Sequence, residues 1–183
     1  MNDMSQTTLP GRSRTVSWDD PRAGAMRGLG MAGLDYLRAM QAGQLSPPPF
    51  GVLLDMTVER IDSGEVVFGC APQEFHCNPM GSVHGGLSAT LIDSAAGCAI
   101  HSTLAPGEAW STVDMHVSFV RAILPGGPAL RCEGKVVHKG RSIVTAEARV
   151  TDADGTLYAY GHITGKVSQL PVPTPGAAGA GPA

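Results

Sequence analysis

The chain has 183 residues, room for one domain with a substantial core, and a formal net charge of −3 with 16% charged residues. No Lys/Arg run or basic stripe accompanies that balance, which excludes nucleic-acid binding through broad positive charge. Its longest apolar-rich segment is interrupted by Ser88, Thr90, Asp93 and His101, which excludes a membrane span. The first residues lack the basic start, apolar stretch and cleavage site of a secretory signal. Cys70, Cys77, Cys98 and Cys132 follow no framework spacing and read as free thiols of a cytoplasmic protein.

Residues 1–22 are polar and read as a disordered tail. Residues 23–49 hold a helix and a proline linker. Leu34, Leu37 and Met40 recur at helical spacing and predict a helix over 31–42, ended by Gly43, before the extended connector Ser46-Pro47-Pro48-Pro49. A main domain spans 50–168. Val52, Leu54, Met56 and Val58 alternate with Asp55, Thr57 and Glu59, which predicts a strand. The turn at 62–65 returns it as a hairpin through Val66 to Cys70. A loop over 71–83 leads into an apolar helix over 85–104, closed by Pro106-Gly107. Four strands at hairpin spacing follow, over 110–123, 129–138, 142–151 and 156–167. Residues 169–183 are a Pro/Gly/Ala tail. Two strands, one helix and four strands predict an α+β fold in which an antiparallel sheet wraps one long buried helix, with an extra N-terminal helix.

The stretch from Asn78 to Asp93 carries the chemistry. The helix it opens places apolar residues on every side, the pattern of a helix buried by its neighbours. Asp93 is the sole Asp, Glu, Lys or Arg between Glu74 and Glu108. A lone carboxylate there is costly unless it has a use. At the helix start, Gly85 and Gly86 leave backbone N–H groups unshielded where the helix dipole is positive. That suits an anion, or an oxygen that becomes one during a reaction. His76, Cys77 and His84 lack the second spaced pair of a zinc site. Ser88 lacks the strand–turn–helix glycine elbow of a serine nucleophile.

The pattern Asn78, then His84-Gly85-Gly86, then Asp93 resembles the PaaI-like (phenylacetic-acid-degradation type) thioesterases of the hotdog fold, over about residues 50–167. The resemblance implies an acyl-CoA hydrolase that works as a homodimer or dimer of dimers, with its site between subunits. It implies Asp93 as general base or nucleophile, the Gly85 N–H as oxyanion donor and Asn78 on the carbonyl side. His84 holds the loop or takes a direct part. A hydroxyl that positions water falls on Thr112, or on Ser111 if the alignment slips by one. By strand alternation Thr112 shares the face of Asp114 and His116, so reaching Asp93 requires a bulge or a strand-start placement. Val83, Gly86 and Ser111 are the expected substrate-binding residues. No metal and no cofactor is expected, since coenzyme A belongs to the substrate, and neither nucleic acid nor membrane is an expected partner. A non-catalytic acyl-CoA-binding or sensing module on the same fold is the competing reading. A hotdog dehydratase would need a His and an acid at a different spacing. One face of a sheet cannot cover a helix apolar all round, so a second copy of the chain is expected to complete its burial.

Overall fold

The computed structural model describes residues 11–170; the tail expectations for 1–10 and 171–183 lie outside the described residues. Residues 11–20 form neither helix nor strand. Arg14 fastens them to the domain through the Leu53 carbonyl at 3.1 Å, the Asp55 carboxylate and the face of Phe75. Helix α1, Pro21–Gly28, starts where Asp20 Oδ1 accepts the Arg22 N–H at 2.9 Å and Pro21 occupies the first turn. Helix α2, Gly33–Gln41, falls inside the predicted span and buries Leu37 and Ala39. It ends with Gly43 at φ +72°, and the Gln44 N–H reaches back to the Ala39 carbonyl at 2.9 Å.

The predicted strand beginning at Val52 is corrected. Residues Pro49–Leu53 form a short helix, α3, with Pro48 extended before it and Pro at its first turn, where a missing N–H costs nothing. Asp55 then takes a left-handed conformation, φ 51°, and the strand starts only at Thr57. Alternation over Val52 to Val58 is a coincidence of a helix followed by a strand.

Six strands form one antiparallel sheet in the order β1-β2-β4-β5-β6-β3, with β1 Thr57–Asp62, β2 Glu65–Cys70, β3 Glu108–Phe119, β4 Leu130–Lys139, β5 Ile143–Thr151 and β6 Leu157–Gln169. The expected hairpin between β3 and β4 does not form. β3 pairs with β6 at one edge of the sheet, and β4 joins β2. The cause is the helix. Helix α4, Gly85–His101, crosses the concave face, so the chain leaves it at the far edge and must return to mid-sheet through residues 120–129. That return is pinned to the loop before α4: Val83 N–H donates to the Ile123 carbonyl and Gly126 N–H to the Pro72 carbonyl, both at 2.9 Å.

The sheet curls closely round α4. Gly134 of β4 passes the helix backbone so tightly that a Cβ there would lie 2.2 Å from the Ala95 carbonyl carbon. Leu91, Ile92, Ala95, Ala99 and Ile100 are wholly buried beneath the strands, and each of the larger side chains contributes about 1.5–3 kcal/mol by leaving water. Burial is not uniform, however. Ala89, Thr90, Asp93 and Ser94 stay half-buried along one stripe of α4 that the sheet does not cover. The helix is therefore apolar on the covered sides and small or polar on the remaining one. Counting apolar residues around it overlooked that stripe.

Candidate active site

The loop before α4 is built around a buried histidine. His76 Nδ1 accepts the Gln73 N–H at 3.0 Å and its Nε2–H donates to the Leu54 carbonyl at 3.1 Å. Both nitrogens are thereby committed to the neutral ring, and burial pushes its pKa below the ordinary imidazole value. The His76 carbonyl takes the His84 N–H at 2.8 Å, which sets where the helix begins. Sequence reasoning weighed His76 only as a metal ligand and missed this anchoring role. Among the described residues no cluster of three or more His, Cys, Asp or Glu could hold a metal ion.

Asn78 is tied into its own turn. Its Oδ1 accepts the Met80 N–H and its Nδ2 donates to Ser82 Oγ, both at 2.9 Å, while Gly81 turns the chain at φ +80°. Val83 is buried and bridges to Cys77. His84 is the N-cap of α4: its Nδ1 accepts the Gly86 N–H at 2.8 Å. That bond uses the Gly86 donor. The Gly85 N–H, first in the helix, meets no acceptor among the described residues. A cavity of about 220 Å³ opens beside it, lined by Val83, Gly85, Ser88, Phe119, Arg121 and Ile123. A Cβ at Gly85 would press to 3.2 Å on the Phe119 ring, so glycine keeps that approach open.

Asp93 lies eight residues further along the same helix, on the half-buried stripe. Thr112 Oγ1 donates to Asp93 Oδ1 at 3.0 Å. This contact depends on a register slip in β3 between Thr112 and Asp114, which leaves Val113 as the extra residue. Trp110 and Thr112 face the helix before the slip; Val117 and Phe119 face it afterwards. The alternation rule that grouped Thr112 with Asp114 and His116 therefore fails at this point. Ser111 projects from the opposite face of β3 and is not brought to Asp93.

The expected site residues thus form two groups. Asn78, Val83, His84, Gly85 and Gly86 gather at the start of α4, while Asp93 and Thr112 meet on its open stripe. Eight residues of helix rise about 12 Å, so the Gly85 donor and the Asp93 carboxylate of one protomer cannot hold the same carbonyl group.

A single antiparallel sheet curled about one helix, with an acid on the helix and an unpartnered N–H at its start, is the architecture of a hotdog-fold hydrolase. The family model for the thioesterase superfamily matches residues 80–159. Acyl-coenzyme A thioesterase 13 of Mus musculus is 32% identical over 132 residues, which make up 70% of this chain and 91% of the mouse protein. Similarity at that coverage shows that the chain belongs to the thioesterase superfamily of thioester hydrolases. Among solved structures, the Escherichia coli PaaI protein from the phenylacetic acid degradation operon superposes with a TM-score of 0.64 at 20% identity, over 75% of this chain and 94% of that one. A Streptococcus pneumoniae TIGR4 protein, described as a hypothetical thioesterase and solved with coenzyme A, superposes with a TM-score of 0.58 at 23% identity, over 63% and 90%. These two share the hotdog fold with this chain.

Proposed function

We propose that the protein hydrolyses acyl-CoA thioesters to the free acid and coenzyme A, at sites shared between two copies of the chain. The observation that carries this reading is the separation just derived. The Gly85 N–H of one copy and Asp93 of another can converge on one carbonyl, whereas the pair within one copy cannot. In this arrangement the thioester oxygen accepts from Gly85 N–H, and the donor becomes most valuable as negative charge develops on that oxygen. The Thr112 hydroxyl fixes one oxygen of Asp93 and leaves the other to act. Asp93 either takes a proton from the attacking water and passes it to the leaving sulfur, or attacks the carbonyl itself to form a mixed anhydride that water then hydrolyses to the free acid. Collapse of the tetrahedral intermediate breaks the C–S bond and releases the coenzyme A thiol. Water is the only co-reactant, and no cofactor is required.

The acyl-CoA substrate class is supported by the name of the mouse relative, acyl-coenzyme A thioesterase 13. Asp93→Asn tests the assignment by keeping the shape of the side chain and removing its charge. Thiol release from a panel of acyl-CoAs should fall at least about 100-fold. The melting temperature should stay the same or rise, because a partly desolvated charge is relieved. Full activity in the variant would remove Asp93 from the chemistry. Marked loss of stability would make it a structural residue instead.

A further inference from the structure

A larger and more apolar space than the one at Gly85 is present among the described residues. It lies one helical turn beyond Asp93, under the N-terminal segment. A cavity of about 250 Å³ is walled by Leu37 and Met40 of α2, by Pro48 of the connector, and by Gly97, Cys98 and Trp110. A second cavity of about 250 Å³ shares Leu37, Met40, Pro47, Pro48 and Cys98 with the first, and extends beneath the prolines to Met56, Val66 and Phe68. Trp110 lies against Gly97 so closely that a Cβ there would sit 2.4 Å from its ring, so only glycine admits the indole at this end. Gly97 is one turn from Asp93, and Trp110 is two residues before Thr112 on the same strand face.

We infer that this paired cavity receives the hydrocarbon part of the acyl group, and that Leu37, Met40, Cys98 and the Pro47-Pro48 strap select acyl chains by length. The inference rests on the acyl-CoA hydrolase reading above. Three features point to an uncharged acyl group larger than acetyl. An apolar cavity of about 150 Å³ already holds a benzene ring, so each of the two cavities is by itself larger than an acetyl group requires. Asp19 and Asp20 are among the residues that line the first cavity and would repel an acyl group that ends in a carboxylate. The polar group at the junction, the Cys98 thiol, is pushed up to about 12 by burial, with the Asp93 charge adding to the shift. It is therefore neutral and unreactive towards the thioester at neutral pH. The walls from α2 and the prolines lie outside the stretch that matches the family model, whereas Gly97, Cys98 and Trp110 lie within it.

The test uses the full chain and straight-chain acyl-CoAs from acetyl to palmitoyl, with thiol release as one readout. Binding of the matching non-hydrolysable acyl-CoA thioethers is the second. For wild type, kcat/KM and affinity should each rise about fourfold per added methylene until the cavity is full, as expected for about 0.8 kcal/mol per buried CH2. Met40→Trp should shorten the preferred chain and Met40→Ala should lengthen it. Melting temperatures of the two variants identify a folding failure in either, and the other then carries the comparison. A flat length profile in both readouts, or an unmoved optimum in the folded variants, overturns the cavity assignment even if hydrolysis is fast. Length-dependent binding without thiol release from any acyl-CoA would overturn the hydrolase reading and leave the cavity assignment standing.

Discussion

At the scale of single residues the site depends on short hydrogen bonds that each fix one atom. Thr112 Oγ1 on Asp93 Oδ1 is the clearest case. It orients the carboxylate and leaves the Asp93 backbone untouched. Thr112→Val keeps the shape and removes the donor, so thiol release should fall about tenfold or more, with KM little changed. Thr112→Ser, which keeps the hydroxyl, should recover most of the rate. Equal losses in both variants would mean that the methyl group matters, not the bond. The His84 N-cap works differently. Its ring accepts the Gly86 N–H, so it consumes one of the two glycine donors and leaves Gly85 as the free one. The motif contains two glycines, but only one is available to a substrate oxygen.

At the scale of elements the β5–β6 turn is the best-defined polar unit. Asp152 Oδ1 accepts the Asp154 and Thr156 N–H groups at 3.0 and 2.9 Å, and Oδ2 accepts the buried Tyr158 hydroxyl at 3.0 Å. Loss of water contact acts to raise the Asp152 pKa, but the bonds from Thr156, Tyr158 and Asp154 outweigh it and leave the carboxyl below its usual range. A depressed carboxylate pKa contributes stability that is present above the unfolded-state value and is lost as pH falls through the folded-state value. Asp152→Asn should therefore melt lower than wild type at pH 7, and the gap should narrow as the solution is acidified past the native Asp152 pKa. Thermal melts of both proteins between pH 7 and strong acid check this. A gap that stays constant with pH would assign the loss to geometry and not to charge.

At the scale of the whole molecule the outstanding feature is the β3 edge. It is twelve residues long and carries Val113, Met115 and Phe119 at 55%, 41% and 60% exposure. A long edge with apolar side chains is a template for pairing with another chain. Next to it runs the uncovered stripe of α4 with Asp93. Pairing of two β3 edges would continue the sheet and cover that stripe. We therefore expect at least a homodimer at micromolar concentration by mass in solution. A Val113→Arg, Met115→Arg double variant should run as a monomer and lose thioesterase activity together with assembly. A shared site also predicts complementation. Co-refolding the Asp93→Asn and Gly85→Ala proteins, each nearly inactive alone, should restore about a quarter of wild-type activity, because half the dimers are mixed and each has one intact site of two. No recovery in verified mixed dimers would place both groups of one site on one chain.

The local chemistry was legible in the sequence because it depends on neighbours in the chain. An isolated Asp93 in an apolar run, paired glycines after a capping histidine and the helix that joins them are all short-range features. So are the Asp152 turn and the Gly43 stop of α2. Helix α1 corrects the reading of residues 1–22 as a disordered tail, since Asp20 caps a helix that begins at Pro21. What the sequence could not determine depends on atoms brought together from far apart. Edge placement of β3 follows from where α4 leaves the concave face, and pairing of β3 with β6 joins residues from 40 (Phe119 with Ala159) to 61 (Glu108 with Gln169) positions apart. The Val113 bulge, which turns Thr112 towards Asp93, is a local break in alternation fixed by pairing with Gly165 and Thr164. The cavity under Pro47 and Pro48 exists only because α2 packs over Cys98. Composition and periodicity marked Asp93 as isolated in an apolar run and picked out most of the buried positions of α4, since those follow from side-chain chemistry and repeat. The roles expected of Asn78, Gly85 and Thr112 came from the family resemblance. The tertiary structure decided which reactive groups meet, because a 12 Å rise of helix separates Gly85 from Asp93 and a one-residue slip of strand joins Asp93 to Thr112.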